Sequence, residues 1–158
     1  GKNGITVVTV EDLRWGRCDI KTVQLLYPSL AKMEAHEKGA DDAWMVKDGF
    51  ITEQTSATAY IVTQEGVVAT RPLSREILPG ITRATALEIA ARNGFKVEER
   101  AFTVEEAKAA KEAFYTSASN FVTPVTAIDG HKIGDGKPGE ISLKLRDLYI
   151  ADRRANAI

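Results

Sequence analysis

Apolar and polar residues alternate in short blocks along this chain, and the blocks read as interleaved strands and helices. Ile5 to Val10 is rich in β-branched residues and predicts a strand. Leu25 to Lys38 predicts a helix, with Pro28 in its first turn, Gly39 as its stop and Leu26, Leu30 and Met33 as an apolar stripe. Two hairpins follow. Ala43 to Val46 and Phe50 to Glu53 flank Lys47-Asp48-Gly49, whose Asp-Gly pair is a tight-turn signal. Ala59 to Thr63 and Val67 to Thr70 flank Gln64-Glu65-Gly66. Between the hairpins, Gln54-Thr55-Ser56-Ala57-Thr58 is small and polar, a composition suited to holding a ligand beside strands.

Arg71 to Pro79 reads as a loop. Thr82 to Asn93 predicts a helix, with Ala86, Leu87, Ala90 and Ala91 on one face and Gly94 just past its end. Thr103-Val104-Glu105-Glu106 is a capping box, so a helix is expected from Val104 to about Lys111. Ala113 to Thr116 and Phe121 to Ile128 predict strands around a second small polar loop, Ser117-Ala118-Ser119-Asn120. Asp129-Gly130 predicts a turn, Gly134 to Gly139 a glycine-rich loop, and Ile141 to Asp152 a last helix. No internal repeat or low-complexity tract interrupts the pattern. The alternation implies one mixed α/β domain.

Length and composition narrow the reading. The 158 residues suit one domain with one core. A net charge of −1 gives no bulk attraction to nucleic acid or to an anionic membrane surface. No apolar run approaches the ~18 residues of a membrane span, and no signal peptide opens the chain. Cys18 is the single cysteine, which excludes an internal disulfide framework, argues against a metal cluster and leaves a reducing, cytoplasmic compartment as the expectation. The turn-like Gly1-Lys2-Asn3-Gly4, with no initiator Met, suggests a processed or excised chain, or a purification scar.

Three segments could carry chemistry, and each has a plainer alternative. Lys21 follows Ile20 at the end of Arg14-Trp15-Gly16-Arg17-Cys18-Asp19-Ile20-Lys21. Partial burial, or two neighbouring arginines, would favour its nucleophilic form; a solvated lysine at a helix start is the alternative. Gly80-Ile81-Thr82-Arg83 opens a helix, whose free N–H groups suit a phosphate or are simply a cap. The two small polar loops could bind an anion or be ordinary turns. His36 and His131 read as structural, Asp41-Asp42 as a solvated strand start, and Gly134 to Gly139 does not match a nucleotide loop.

The order of these segments is more specific than any one of them. Arg14 to Lys21, then Thr52-Glu53-Gln54-Thr55-Ser56, then Ile77-Leu78-Pro79-Gly80-Ile81-Thr82-Arg83, then Phe121-Val122-Thr123-Pro124-Val125 follow one another as in the class IV aminotransferases. Asp129-Gly130 and Gly134-Asp135-Gly136-Lys137-Pro138-Gly139 complete a resemblance that covers nearly the whole chain, and Arg17-Cys18-Asp19-Ile20-Lys21 resembles the D-amino-acid branch. The resemblance implies the large C-terminal domain of a fold type IV enzyme, a mixed sheet partly closed into a barrel with flanking helices. It implies pyridoxal 5'-phosphate as cofactor. It also implies transamination between a D-amino acid such as D-alanine and a 2-oxo acid such as 2-oxoglutarate. A branched-chain aminotransferase, an aminodeoxychorismate lyase-like enzyme and a non-catalytic fragment needing a partner chain are the alternatives.

By position, the resemblance makes Lys21 the Schiff-base lysine and proton shuttle. Glu53 would face the pyridine nitrogen, and Leu78 would pack on the ring. Gly80, Ile81 and Thr82 would hold the phosphate, with Ser117 and Ala118 completing the cup, and Arg14 would help hold the site together. The chain departs from the pattern at Gln54 (usually Gly), at Ala57-Thr58, at Ala118 (often Thr) and at Phe121 (often acidic). The family's smaller N-terminal domain is missing, so a complementary N-terminal fragment, a homodimer, or both are expected as partners.

Overall fold

The computed structural model describes residues 2–156, so the opening turn expected at Gly1 to Gly4 lies partly outside the described residues. β-branched and aromatic blocks form the strands β1 (Ile5–Glu11), β2 (Asp42–Lys47), β3 (Phe50–Gln54), β4 (Thr58–Val62), β5 (Val68–Thr70), β6 (Val97–Glu99), β7 (Glu112–Ser117), β8 (Phe121–Ile128) and β9 (His131–Lys132). Between them lie α1 (Leu26–Glu37), α2 (Ile81–Arg92), α3 (Val104–Lys108) and α4 (Glu140–Ala155). All nine strands join one sheet in the order β3-β2-β1-β8-β7-β4-β5-β6, with β9 beside β8. The β1–β2, β1–β8 and β5–β6 pairs are parallel and the others antiparallel. Parallel neighbours need a long crossover; α1 supplies it between β1 and β2, and α2 between β5 and β6.

The sheet curls on itself. β3 lies at one end of the strand order, yet Gln54 N–H donates to Ala57 O at 2.9 Å and ties it to β4. Ile51 N–H donates to Phe102 O at 3.0 Å and draws the segment before α3 onto the same edge. Strand alternation then separates two faces. Ala59 and Ile61 of β4 point into the curl with Trp44, Ile51, Phe102 and Tyr115. Tyr60 and Val62 point outward against Ala86 and Ile89 of α2 and Leu145 of α4. α1 covers the other end through Ala31 and Ala35, packed on Val8, Val10 and Met45. The barrel-like mixed sheet with flanking helices is therefore as the resemblance implied.

Four local expectations are corrected. α3 stops at Lys108 rather than near Lys111, because Lys111 N–H is drawn to Val62 O at 2.9 Å as the chain rejoins the sheet. α4 runs on to Ala155. β6 was not anticipated: Val97-Glu98-Glu99 is short and acidic, and it pairs only because α2 returns it beside β5. Asp42 is not a solvated strand start. It is buried, accepting from Gln54 Nε2 at 3.0 Å and Thr55 Oγ1 at 2.6 Å. Gln54, where the family has glycine, also accepts from Trp44 Nε1 at 3.1 Å, so this departure fills the barrel interior.

The start of α4 is closed by a buried carboxylate. Glu112 Oε1 and Oε2 accept from the N–H groups of Ile141 and Ser142, each at 2.8 Å, satisfying donors that a helix start leaves open. Gly139 is the N-cap, and a Cβ there would overlap the Glu112 carboxylate. Gly139→Ala should therefore cost about 2 kcal/mol through overpacking and a displaced cap. Urea unfolding measures this as a lower midpoint with unchanged slope; an unchanged midpoint contradicts the account.

Candidate functional site

Glu53 owes its position to an irregularity in β3. Trp44 and Val46 are two residues apart on β2, but their partners Gln54 and Ile51 are three apart on β3. The extra residue is a bulge, a device that re-aims side chains. Ile51 and Gln54 both serve the interior, while Glu53 meets Arg14. Glu53 Oε2 accepts from Arg14 Nη1 at 2.5 Å, and Oε1 accepts from Leu78 N–H at 2.9 Å. Arg14 also grips Asp12 in a two-point fork, from Nε to Oδ1 at 2.9 Å and from Nη2 to Oδ2 at 2.7 Å. Thr52 Oγ1 donates to the same Asp12 Oδ2 at 2.6 Å.

The three charges respond differently to this setting. Burial pushes the Glu53 carboxyl above its ordinary value, and Arg14 and the Leu78 N–H pull part of the way back. Burial also works to raise Asp12, but hydrogen bonds from Arg14 and Thr52 outweigh it and hold that carboxyl low. Burial opposes the charge on Arg14, yet Asp12 and Glu53 raise its pKa above the ordinary guanidinium value. The result is a fixed cation holding one carboxylate firmly and presenting a second.

The loop between β5 and α2 ties the candidate segments together. Cys18 N–H donates to Arg75 O at 2.8 Å, and Arg14 Nη2 to Glu76 O at 3.0 Å. The Glu76 carboxylate meets Lys47 Nζ at 3.0 Å and Arg71 Nη2. Lys21 thus stands three residues beyond an anchor on the loop that carries Leu78 and leads into α2. Of the two readings of this lysine, the structure shows the solvated one: Lys21 is exposed, with exposed Ile20 and Val23 around it. The two arginines expected beside it are both paired elsewhere, Arg14 as described and Arg17 with Asp19 at 2.8 Å.

The helix start and the second polar loop also meet. Gly80 is the N-cap of α2 and brings no side chain, and the first turn holds no acid. α3 by contrast is capped by Thr103 Oγ1, and α4 by Glu112. A Cβ on Gly80 would lie 3.5 Å from Thr58 Oγ1, so the helix start abuts the first residue of β4. Thr58 is the register partner of Thr116 on β7, next to Ser117. Ser117 Oγ accepts from Asn120 N–H at 3.2 Å and closes the loop, leaving Ala118 exposed with only its backbone to offer.

Arg14, Glu53 and Leu78 therefore gather two residues ahead of the helix start at Gly80, Ile81 and Thr82, and Ser117 and Ala118 follow Thr116, the register partner of Thr58. Lys21 is joined to them through Cys18. Asp12 was missed, although Asp12-x-Arg14 at a strand end was a legible hint, since residues two apart share a face; Thr52 stood only within its motif, and Thr58 and Thr116 lie in the two small polar loops that the sequence marked. Among the described residues no group of three or more His, Cys, Asp or Glu could hold a metal ion. His36 Nε2 lies 3.0 Å from Asp41 O, and His131 is exposed.

Comparison with known proteins agrees with this geometry. The model of the family described as Amino-transferase class IV matches residues 2–128. A D-alanine aminotransferase of Bacillus licheniformis is 43% identical over 141 residues, covering 89% of this chain and 50% of that protein. The D-alanine aminotransferase of Staphylococcus aureus (strain N315) is 42% identical over 148 residues, covering 94% and 52%. The crystal structure of the T.th. branched-chain amino acid aminotransferase with pyridoxamine 5'-phosphate superposes with a TM-score of 0.86 at 31% identity, covering 95% of this chain and 51% of that one. The chain spans about half the length of the curated relatives it matches.

The low-lying Asp12 carboxyl gives a pH signature. A carboxyl whose folded pKa lies below its ordinary 3.8 contributes stability that is present above that value and lost as pH falls through the folded one. Asp12→Asn should cost about 2 kcal/mol at neutral pH. Its deficit against the wild type should shrink as unfolding is measured at pH values below 3.8. A deficit independent of pH contradicts the charged network.

Proposed function

The chain belongs to the class IV aminotransferase family, and we propose that residues 1–158 are the cofactor-binding domain of an enzyme that moves an amino group between a D-amino acid and a 2-oxo acid. D-Alanine and 2-oxoglutarate are the pair the reading favours. One observation carries it. A single loop grips the Glu53 carboxylate through Leu78 N–H and ends two residues later in a helix start with no capping side chain.

Pyridoxal 5'-phosphate fits this donor set. An uncapped helix start and nearby hydroxyls suit its phosphate, a buried carboxylate its ring nitrogen, an aliphatic side chain its ring face, and a primary amine its aldehyde. When bound it supplies an aldehyde carbon for the amino group and a ring that draws electron density from the substrate Cα. The residues then divide the work. Lys21 Nζ is the nucleophilic amine, and it carries the proton away from Cα and back. Glu53 keeps a proton on the ring nitrogen, and Arg14 holds Glu53 in place. Leu78 covers the ring. Gly80, Ile81 and Thr82 give the phosphate N–H groups and a hydroxyl, Ser117 gives a second hydroxyl, and Ala118 gives backbone only.

Identity favours the D-amino-acid branch, since D-alanine aminotransferases reach 43% against 31% for the branched-chain structure. A branched-chain substrate is the second reading, supported by that likeness of fold. The partners are a small amino acid and a 2-oxo acid. A second copy of the chain, or the remaining half of an enzyme of the relatives' length, is the further partner. Exposed apolar residues support this: Val23 is 96% and Leu26 75% exposed, with Leu13, Leu30 and Met33 exposed in the same stretch. No described helix is long and apolar enough to cross a membrane, and we assign the reaction to the cytoplasm.

An absorption spectrum tests the reading. Added pyridoxal 5'-phosphate should give a visible chromophore that D-alanine discharges and 2-oxoglutarate restores. Discharge by L-leucine alone would favour the second reading. Lys21→Ala should lose the borohydride-stable attachment and at least about a thousandfold in transamination rate. A wild-type protein that never gains a chromophore would falsify the proposal.

A further inference from the structure

Two arginines stand behind the candidate anion cup, and neither has a role in the reading above. Arg83 lies in the first turn of α2 and is only 4% exposed. A cation there opposes the positive end of the helix dipole, and α2 has no acid in that turn to offset it. Its Nη2 donates to Arg71 O at 3.0 Å and to Glu99 Oε2 at 2.6 Å. The Glu99 side chain is 50% exposed, so water weakens its neutralising effect. Arg146 of α4 braces the other wall. Its Nη1 donates to Asn120 O at 2.7 Å and to Val122 O at 2.5 Å, and it forms no ion pair among the described residues. Between those carbonyls Phe121 adopts φ 59°, a conformation bulky residues rarely take, with its ring tilted on Tyr149 at 5.6 Å.

The two side chains share a further peculiarity. Among the described residues, the buried side-chain nitrogens without a hydrogen-bond partner are Arg83 Nε and Arg146 Nε. Buried polar groups are normally satisfied. Here two such defects, both on cations, fall behind Gly80–Thr82 and behind Ser117–Asn120.

We propose that Arg83 and Arg146 are positioning residues of the phosphate cup. Arg83 clips the start of α2 to Arg71, fixing both ends of the loop between them, and Arg146 fixes the Ser117–Asn120 turn through its last carbonyl. Together they place one buried and one half-buried positive charge beside the cup, which favours a dianion over a neutral ligand. This rests on the proposed function, because the dianion it names is the phosphate of the cofactor.

The experiment compares pyridoxal 5'-phosphate with pyridoxal, which lacks the phosphate, and with inorganic phosphate alone. Affinities come from absorbance titrations, and phosphate binding from the rise in Tm. R83Q and R146Q should each reduce the preference for pyridoxal 5'-phosphate over pyridoxal by about tenfold, with pyridoxal affinity unchanged. Both should also lose the Tm rise with phosphate. E99Q removes the half-exposed counter-charge while its amide oxygen keeps an acceptor for Arg83, and should raise the same preference about twofold. It keeps the test decisive if a glutamine variant does not fold. An unchanged preference in folded R83Q or R146Q, parallel loss of both ligands, or no rise in E99Q overturns the inference. A wild type stabilised by phosphate in an arginine-dependent way, yet taking up no pyridoxal 5'-phosphate, would overturn the proposed function and leave this inference standing.

Discussion

The buried ion pair between Arg14 and Glu53 is the contact on which the rest of the site depends. Two charges removed from water are tolerated only when geometry is good and their remaining hydrogen-bonding capacity is met. Here the surroundings meet it from three directions. Asp12, just past β1, takes two Arg14 donors; Thr52 on β3 supports Asp12; and the loop supplies Glu76 O to Arg14 and Leu78 N–H to Glu53. Breaking such a pair typically costs about 3–5 kcal/mol, because one charge is left buried alone. The end of β1, the bulge of β3 and the loop are thus held in one arrangement by the same few atoms.

The chain handles helix starts in two ways, and the contrast separates structure from function. At α4 the open N–H groups receive the Glu112 carboxylate, a permanent internal anion. At α2 the N-cap is glycine, and the buried charge nearby is positive rather than negative. Both helices pack on the same outer face of the sheet. α1 likewise begins with no side-chain cap and no acid in its first turn, so what sets α2 apart is a buried cation beside the open start. The difference is explained if the anion at α2 comes from outside.

Legibility in the sequence followed the range of the interactions involved. Turn chemistry is local and was read correctly. Asp48 and Gly49 take φ of 51° and 82°, and Asp129 and Gly130 take 50° and 75°, the left-handed pairs that an Asp-Gly turn requires. β6 was invisible, because an acidic tripeptide becomes a strand only when α2 delivers it to β5. The bulge in β3 was equally hidden, since register belongs to two strands and not to one. The site split along the same line. Lys21, Glu53, Leu78 and Gly80 to Thr82 were singled out by the order of motifs, and Thr58 and Arg83 stood inside marked segments. Asp12 and Arg146 were not singled out, because each acts through a contact whose other end only the fold brings close. Asp42 shows the reverse error: an Asp-Asp pair looks solvated until Gln54 and Thr55 arrive from the next hairpin.

Lys21, the amine of the proposed reaction, is left uncovered by this chain. A lysine attacks a carbonyl only in its neutral form, and desolvation favours that form. The carboxylate and the loop are already fixed by internal contacts, but the amine is exposed, and the apolar residues on either side of it are exposed as well. Ile20, Val23 and Leu26 expose apolar surface in sequence with the lysine, where a solvated loop would carry polar side chains. That composition makes sense if the surface and the amine are covered together, by the same partner and in the same step. On this argument the domain holds the rigid, charge-fixing part of the chemistry, and the dry environment of the reactive amine arises on assembly.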